Sequence, residues 1–382
     1  MLPAIRLPHY CDLDLPAEPL LDPVAFAVPN AVEYTNLAAH NQELAGHMSR
    51  DVYASRACTL AGVSLVALPD GATVLGGGDF VLRIGNSPIA EQCPPYFAAT
   101  PERLIAAAVS KHPAIGVEKE CLLIARFGIL TWGHWLCELL PKAVLVENAY
   151  PGRFSFVLPD EIFAAPAAAL PFVRLRESLA AYGIDRERIL ALRADRDYRF
   201  SRLFAVTPLW SDHMLHPGAA AAMRSGLRAR AEAASFRRLA VRRVPGWGRE
   251  LENFAALEAP LRAAGCVPRM LGVYPFLEQV AAFGAAEFVF AVLGSDLANL
   301  VYAPEGIKVI AAAPAVFGDR FFYALVLERG GRMVDLRGPV TVPDRRTAHR
   351  STFAIDPTEL AKGIARLTAA CAPPGAGAAR SA

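Results

Sequence analysis

The amino-acid sequence predicts an α/β protein with two Rossmann-like lobes and a β-rich N-terminal region. Three observations support this fold class. The chain has 382 residues, which is longer than a domain built around a single hydrophobic core usually is. Its first part is rich in Pro and Gly and contains only short strand-like runs. From about residue 119, apolar strands and amphipathic helices alternate in two series, which is typical of parallel sheets covered by helices on both faces.

The N-terminal region covers residues 1–118 and is predicted to form strands at Val63–Leu68, Thr73–Leu75 and Phe80–Ile84. The glycines Gly76–Gly78 separate the last two strands. A phosphate-binding loop would continue into Lys-Ser/Thr, which is absent here, so a hairpin turn is favoured over a ligand loop.

The first lobe covers residues 119–235. Its predicted elements are the strand Cys121–Arg126, the helix Gly133–Asn148, the strand Phe154–Leu158, the helix Ala167–Tyr182, the strands Arg188–Leu192 and Arg202–Val206, and the helix Gly218–Ala233. This order predicts a parallel sheet with helices on its faces.

The second lobe covers residues 236–335, and a C-terminal segment follows at 336–382. The predicted elements are the strand Leu239–Arg243, the helix Leu251–Ala264, the strand Cys266–Met270, the helix Pro275–Phe283, the strand Phe288–Val292, the helix Asp296–Tyr302, the strand Lys308–Ala312 and the helix Phe321–Glu328. A polar stretch contains Val340–Arg350, and Asp356-Pro357 begins a return helix that runs to Ala370. The Ala/Gly/Pro tail beyond it is predicted to be disordered.

The charge balance limits the possible partners. Lys plus Arg number 39 and Asp plus Glu number 37. A chain this close to neutrality has no overall field to attract nucleic acid or an anionic membrane. We therefore expect no nucleic-acid partner, and any anionic ligand must be bound by local groups.

The cysteines and the apolar segments indicate the compartment. Seven cysteines are scattered without a Cys-x-x-Cys pair, which indicates reduced thiols. The N-terminus lacks the pattern of a signal peptide, and no segment approaches the ~20 apolar residues that a membrane span requires. We expect a cytoplasmic protein, with peripheral association at the inner face of the membrane left open.

Candidate site residues follow the predicted strands, because parallel sheets bind ligands beyond the carboxyl ends of their strands. The strand Phe288–Val292 leads into Gly294, Ser295, Asp296 and Asn299. Glycine allows a tight turn, and free N–H groups at a helix start bind phosphate. The alternative is an ordinary turn in which Ser295 or Asp296 caps the helix.

Two arginines provide a second candidate. Arg243 ends the strand Leu239–Arg243, and Arg249 precedes the next helix. Guanidinium groups at a strand end and a helix start can bind a pyrophosphate bidentately. A solvated basic loop is the alternative.

His134 and Glu138 form the third candidate. They are four residues apart on one predicted helix, so both side chains project from the same face. A histidine oriented by a carboxylate suits a general base, because its pKa lies near neutrality. The alternative is a contact that only stabilises the helix. No neighbouring His or Cys supplies a third metal ligand, so we predict no metal site.

Taken in order, these segments resemble the family 61 glycosyltransferases. Gly133-His134-Trp135-Leu136-x-Glu138-x-Leu140-Pro141 is similar to that family's Gly-His-Trp-x-x-Glu-x-Leu-Pro signature. Arg243 followed by Arg249-x-Leu251-x-Asn253 is similar to a second block. Phe276-Leu277-Glu278-Gln279-Val280 and Gly294-Ser295-Asp296-Leu297-Ala298-Asn299-Leu300 are similar to two more. The resemblance covers about residues 120–315.

This resemblance implies a GT-B-like pair of lobes and inverting transfer of a sugar from a nucleotide sugar, taken as uridine diphosphate-linked, to a glycan or glycolipid acceptor. Surface polysaccharides such as capsule or lipopolysaccharide are the implied products, and no cofactor or metal is implied. His134 or Glu138 would be the base. The donor-binding residues would be Arg243, Arg249, Asn253, Glu278, Gly294, Ser295, Asp296 and Asn299.

The sequence departs from the family pattern at several positions. Phe254 and Ala311 stand where acidic residues are usual, and Ser295-Asp296 replaces Ala-Gly. These departures support an alternative function as a catalytically degenerate binding or scaffolding subunit of a polysaccharide assembly complex. A Rossmann dehydrogenase is disfavoured because no Gly-x-Gly-x-x-Gly follows a strand.

Overall fold

The computed structural model describes residues 8–51, 54–77, 80–89, 109–126, 128–166, 169–170, 172–225, 227, 234–345 and 347–369. Several predicted features lie partly or wholly outside these residues. They are Gly78, the first residues of the helix predicted from Ala167, most of the last residues of the helix predicted to end at Ala233, and the predicted C-terminal tail.

The strands, in chain order, are β1 (Ala17–Leu21), β2 (Val24–Val28), β3 (Val32–Thr35), β4 (Arg56–Leu60), β5 (Val63–Ala67), β6 (Ala72–Val74), β7 (Leu82–Ile84), β8 (Ser87–Pro88), β9 (Ala114–Val117), β10 (Cys121–Leu123), β11 (Ser155–Pro159), β12 (Ile189–Leu192), β13 (Asp197–Phe200), β14 (Leu203–Val206), β15 (Trp210–Ser211), β16 (Met214–Leu215), β17 (Arg238–Val241), β18 (Val267–Arg269), β19 (Phe288–Val292), β20 (Lys308–Pro314), β21 (Arg332–Gly338), β22 (Val340–Val342) and β23 (Thr352–Phe353).

The α-helices are α1 (Leu37–His40), α2 (Gln42–Asp51), α3, which joins Trp132–His134 and Leu140–Ala149 through a π-helical turn at Trp135–Leu139, α4 (Glu161–Ala164), α5 (Phe172–Ala181), α6 (Pro217–Arg224), α7 (Phe254–Ala263), α8 (Phe276–Ala285), α9 (Phe321–Glu328) and α10 (Pro357–Thr368). The 3₁₀ helices are Tyr10–Asp12, Arg186–Arg188, Leu271–Val273, Ser295–Tyr302 and Ala348–Arg350.

The first six-stranded sheet has the order β1-β5-β14-β10-β11-β12. The strands from β14 to β12 are parallel, as the alternation of strands and helices predicted. On the other side, β5 pairs antiparallel with β14, and β1 pairs antiparallel with β5. Strands from the N-terminal region therefore extend this sheet.

The second six-stranded sheet has the order β18-β17-β19-β20-β21-β3 and is parallel throughout. The chain goes from β17 to β18 on one side and then crosses back to β19 on the other. The strand order thus reverses between β17 and β19. At such a point the connections that follow the two strands leave in opposite directions, and a crevice opens between them at the carboxyl ends of the strands. Arg242-Arg243 and Leu293-Gly294 follow these two strands.

The remaining N-terminal strands fill the periphery. A five-stranded sheet has the order β8-β7-β6-β13-β9, and its β6–β7 pairing confirms the predicted hairpin between these strands. At the edge of the second sheet, the hydroxyl of Tyr34 on β3 donates to Glu359 of α10. The predicted return helix is confirmed as α10, which begins after Asp356, whose carboxylate accepts from the backbone N–H of Thr358.

One apolar core extends across both large sheets, since buried side chains from α3, α8, the 3₁₀ helix Ser295–Tyr302 and α9 pack together. Trp132 of α3 packs edge-to-face on Phe276 of α8 with ring centroids 6.0 Å apart. The thiol of Cys137 donates to the carbonyl oxygen of Ala298 over 3.8 Å. This packing brings α3 against the loop that follows β19.

Candidate functional site

Gly294 lies at the reversal point of the second sheet, against two guanidinium groups. A Cβ added there would be 2.8 Å from Nη1 of Arg243 and 2.9 Å from Nη1 of Arg249. Carbon and nitrogen atoms do not approach this closely without repulsion. A side chain at this position would therefore force one or both guanidinium groups to move away from the start of the 3₁₀ helix Ser295–Tyr302.

Backbone carbonyl groups hold the two arginines in place. Arg243 donates from Nε to Gly248 and from Nη2 to the carbonyl oxygen of Trp247, the latter over 3.2 Å. Arg249 donates from Nη1 to Leu293 and from Nε to the carbonyl oxygen of His349 over 2.8 Å. Arg249 has φ +56°, a backbone conformation that L residues rarely adopt. These contacts fix both side chains but provide carbonyl dipoles rather than negative charge.

The arginine pair is buried and lacks full compensation. Burial and the adjacent charge of Arg243 lower the pKa of Arg249 to about 9, and burial also lowers the pKa of Arg243. Oδ2 of Asp296 lies 4.0 Å from Nη1 of Arg243. Burial raises the pKa of Asp296, although the charges of Arg243 and Arg174 oppose this rise. Asp319 acts on Arg249, and Asp296 and Glu250 act on Arg243, but burial still lowers the pKa of both guanidinium groups. Two adjacent buried guanidinium groups favour an added anion.

The alternative in which Ser295 or Asp296 caps the helix is wrong. Gly294 occupies the N-cap position, and no side chain makes a capping hydrogen bond. The segment is also a 3₁₀ helix rather than the predicted α-helix. The carboxylate of Asp296 lies near the guanidinium group of Arg243 instead.

The histidine and glutamate of α3 are in direct contact. Nδ1 of His134 and Oε1 of Glu138 are 2.6 Å apart, and Arg126 donates to the other carboxylate oxygen of Glu138. A carboxylate only accepts, so Nδ1 of His134 carries the proton in this pair. Nε2 of His134 is then the basic nitrogen, on a side chain that is 45% exposed. Glu138 lies in the π-helical turn Trp135–Leu139, a distortion frequent at functional sites.

The environment of Glu138 favours its ionised form. Burial raises its pKa, but the hydrogen bond from His134 and the charge of Arg126 outweigh burial, so the pKa lies below its ordinary value. A carboxylate held in this way orients the imidazole and stabilises its protonated form. The pair therefore suits proton abstraction by His134, with Glu138 as the orienting group.

The glycine before His134 brings the two parts of the site together. A Cβ added at Gly133 would lie 3.5 Å from Oγ of Ser295 and 3.8 Å from the ring of Phe322. The start of α3 therefore packs directly on the start of the 3₁₀ helix Ser295–Tyr302. The helix that carries the predicted base thus contacts the segment that carries the predicted anion site.

A cavity of about 550 Å³ opens beside Glu138. Its lining includes Arg126, Lys142, Trp210, Asp319 and Phe321. The rings of Trp210 and Phe321 stack with centroids 4.5 Å apart, and Phe321 also lies 6.2 Å from the ring of His134. The indole N–H of Trp210 donates to the carbonyl oxygen of Cys137 in the π-helical turn over 3.0 Å. An aromatic surface thus leads to the histidine.

Three other predicted site residues are placed differently. The side-chain amide of Asn253 is occupied by the backbone of Ile355, donating to its carbonyl oxygen over 2.7 Å and accepting from its N–H over 3.1 Å. Asn299 is fully buried and donates to Gln279. Glu278 is exposed in the first turn of α8. The structure does not place Asn253 at the arginine pair, and the donor-binding roles of all three stay predictions.

Sequence reasoning missed Arg126, Arg174, Trp210 and Trp247. Arg126 could have been found, since it ends a predicted strand of the kind that places ligand-binding groups. No sequence pattern pointed to the other three residues, because their side chains contact the candidate site only in the folded structure.

Gly294→Ala gives a direct test of the arginine pair. The added methyl group displaces one or both guanidinium groups, so we expect inorganic pyrophosphate to bind about tenfold more weakly or worse, as for loss of one charged hydrogen bond. Isothermal titration calorimetry measures the change. Gly284→Ala is the matched control, because a Cβ there would meet only the carbonyl oxygen of Tyr302, at 3.8 Å. Unchanged pyrophosphate affinity in Gly294→Ala would contradict this reading of the site.

Paired arginines at the reversal point of a parallel sheet and an oriented histidine on a helix that packs against this point are the features expected of a group-transfer site for an anionic substrate. Residues 132–310 match the family model described as Glycosyltransferase 61. This match supports the resemblance found in the sequence and a glycosyltransferase role. No curated protein matches the chain.

Two observations concern metals and membranes. Within the described ranges, no group of three or more His, Cys, Asp or Glu side chains is arranged to hold a metal ion. No helix among the described residues combines the length and apolar character needed to cross a bilayer. Independence from metal and the cytoplasmic location stay predictions.

Proposed function

We propose that the protein is an inverting glycosyltransferase that transfers a sugar from a nucleotide sugar to a glycan hydroxyl, in the synthesis of a surface polysaccharide at the cytoplasmic face of the membrane. One observation carries this proposal. Gly133, next to His134, contacts Ser295, which follows the Gly294 that both arginines approach, and this contact supports a shared site for the His134–Glu138 pair and the arginine pair. A base and an anion site in one cleft are what such a transfer requires.

The donor diphosphate binds between Arg243, Arg249 and the N–H groups at Ser295. Each guanidinium has strong donors for phosphate oxygens, and both are already fixed by backbone carbonyl groups. The exposed carboxylate of Glu278 then accepts hydrogen bonds from the ribose or the base. The two large sheets are the centres of two Rossmann-like lobes in a GT-B-like arrangement, and the cleft lies between them.

Of the two residues that the sequence left open as the base, His134 and Glu138, we assign this role to His134. Nε2 of His134 takes the proton of the acceptor hydroxyl, and the oxygen attacks the anomeric carbon from the side opposite the diphosphate. The carbon–oxygen bond to the acceptor forms while the bond to the diphosphate breaks, so the configuration inverts. Arg243 and Arg249 neutralise the charge that develops on the departing nucleoside diphosphate.

The acceptor occupies the cavity that contains Trp210 and Phe321. It opens beside Glu138 and ends near the exposed face of His134. Aromatic rings with a few placed polar groups are typical of binding sites for organic ligands. A sugar ring on this surface presents its hydroxyl to Nε2 of His134.

The second candidate function is a non-catalytic binding or scaffolding subunit. It is favoured by Ala311, which is fully buried inside β20 where the family pattern has an acid, and by Phe254 at another usually acidic position. The fixed His134–Glu138–Arg126 arrangement favours catalysis instead. A protein that binds nucleotide sugar and lacks turnover would support the second candidate.

Calorimetric titration of the full chain with uridine, guanosine and thymidine diphosphate sugars tests the donor site. We expect one nucleotide class to bind preferentially, and incubation with that donor to release free nucleoside diphosphate in the presence of glycan acceptors. A folded protein that binds none of these donors would refute the donor-site proposal.

A further inference from the structure

Arg174 is a buried cation that neither predicted site includes. It lies on α5, which belongs to the first series of strands and helices, and it is 2% exposed. Its guanidinium carbon lies 4.7 Å from the ring centroid of Trp132 and 5.3 Å from that of Trp247. Trp132 begins α3 and Trp247 belongs to the loop after β17, so Arg174 touches both parts of the site.

The hydrogen-bonding capacity of Arg174 is not satisfied. Nε and Nη1 are shielded from solvent and have no hydrogen-bond partner among the described residues. Burial lowers its pKa, and the charges of Asp296 and Glu177 only partly oppose this. The carboxylate of Glu177 accepts from the backbone N–H of Phe276 over 2.8 Å. A buried guanidinium without hydrogen bonds is costly and is rarely retained unless an anion completes its environment.

Arg174 faces the same groups as the arginine pair. A Cβ added at Gly272 would lie 3.3 Å from the indole of Trp247 and 3.7 Å from Oδ1 of Asp296, so these two side chains are neighbours. Arg243 binds the carbonyl oxygen of Trp247 and approaches the same carboxylate. The charge of Asp296 therefore acts on both Arg174 and Arg243, which belong to different series of strands and helices.

The surroundings of Arg174 also have room for a ligand. A cavity of about 250 Å³ has Arg174, Val173, Val273, Tyr274 and Pro275 in its lining. The loop 270–275 follows β18, the neighbour of β17 in the sheet. A ligand held at the arginine pair can thus extend across the end of β18 toward Arg174.

We propose that Arg174 is a third anion-binding residue, which binds a phosphate oxygen of the nucleotide donor from the side opposite Arg243 and Arg249. Asp296 is the counter-ion of Arg174 and Arg243 when the donor is absent, and the donor phosphate takes over this role on binding. This inference rests on the proposed donor site. It gives Asp296 a function compatible with a phosphate ligand, because the carboxylate balances charge before the donor binds.

Arg174→Met separates a ligand-binding role from a structural one. Met is apolar and unbranched, and replacing an unpaired buried charge by an apolar side chain of similar size is often neutral or stabilising. We expect the melting temperature of the free protein to stay the same or rise, while the Kd for pyrophosphate and for uridine diphosphate increases about 10- to 100-fold, the value of a charged hydrogen bond. Thermal unfolding and calorimetry provide the two readouts.

Arg186→Met is the matched control, because Arg186 also stacks on an aromatic ring, at 4.5 Å from the centroid of Phe163, but lies outside the site. The control should leave both affinities unchanged. Asp296→Asn provides a second variant. We expect it to bind pyrophosphate more tightly, and the gain to be smaller in the double variant with Arg174→Met, since the two side chains interact.

The outcomes distinguish this inference from the proposed function. If Arg174→Met binds pyrophosphate and uridine diphosphate as the wild type does, Arg174 is not a ligand and the donor site can still stand. If it loses pyrophosphate binding but the wild-type protein turns over no nucleotide sugar, the anion site stands and the glycosyltransferase proposal fails. A fall in melting temperature with unchanged affinity would assign Arg174 a purely structural role and overturn the inference.

Discussion

Replacement of His134 by Ala is expected to reduce sugar transfer by about 10²- to 10⁴-fold, the usual contribution of a general base. The variant should bind the nucleotide donor with nearly unchanged affinity, because the arginine pair is held by backbone carbonyl groups of other loops. His134 is 45% exposed, so its removal leaves no buried cavity and the fold should persist. Initial rates at saturating donor, together with calorimetry, measure both effects.

Glu138→Gln tests the division of roles within this pair. Gln keeps the shape of the side chain but removes the charge that orients the imidazole and stabilises its protonated form. We expect a smaller loss of rate than in His134→Ala and a shifted dependence of the rate on pH. His47→Ala is the control, since His47 is an exposed histidine on α2. Full activity in His134→Ala with inactive Glu138→Gln would make Glu138 the base.

Replacement of Arg243 or Arg249 by Gln is expected to weaken donor binding by about 10- to 100-fold each, since each removes a charged donor from a buried site. Conversion to Lys should not restore binding at either position. A lysine ammonium is a point charge that cannot contact both a backbone carbonyl group and a phosphate in the fixed geometry of the guanidinium. Calorimetric titration with uridine diphosphate and with pyrophosphate measures the loss.

The chain contains a control for this experiment at the adjacent position. Arg242 has a 49% exposed side chain and lies 3.9 Å from Glu258, away from the cleft. Arg242→Gln changes the net charge by the same amount as Arg243→Gln, so it should leave the affinity almost unchanged. Equal losses in the two variants would show that general positive charge, rather than the paired site, attracts the nucleotide.

Local sequence patterns predicted most elements of this fold. The alternation of apolar strands and amphipathic helices predicted the parallel strands β14, β10, β11 and β12 of the first sheet and the parallel second sheet, because a strand buried on both faces must be apolar throughout. It also placed Arg243 and Gly294 at strand ends. The His134–Glu138 contact was predictable for the same reason, since residues four apart on a helix are neighbours.

The N-terminal region shows where local patterns are insufficient. The sequence predicted β5, β6 and β7 of this region but not β1 to β4. In the structure β1 and β5 complete the first sheet, while β3 lies at the edge of the second. Pairing with a strand about 300 residues later, as β3 does with β21, leaves no local trace. The predicted domain boundaries remain untested.

By itself, the sequence determined the α/β class, the residues at the ends of the strands and the charge pattern of the candidate site, because these depend on neighbours along the chain. Only the tertiary structure decided that β17 and β19 are adjacent, that Gly133 packs on Ser295, that the amide of Asn253 binds the backbone of Ile355, and that Arg174 is buried against Trp132 and Trp247. These contacts join segments far apart in the chain. Their geometry arises from close packing of the whole core, which no local pattern encodes.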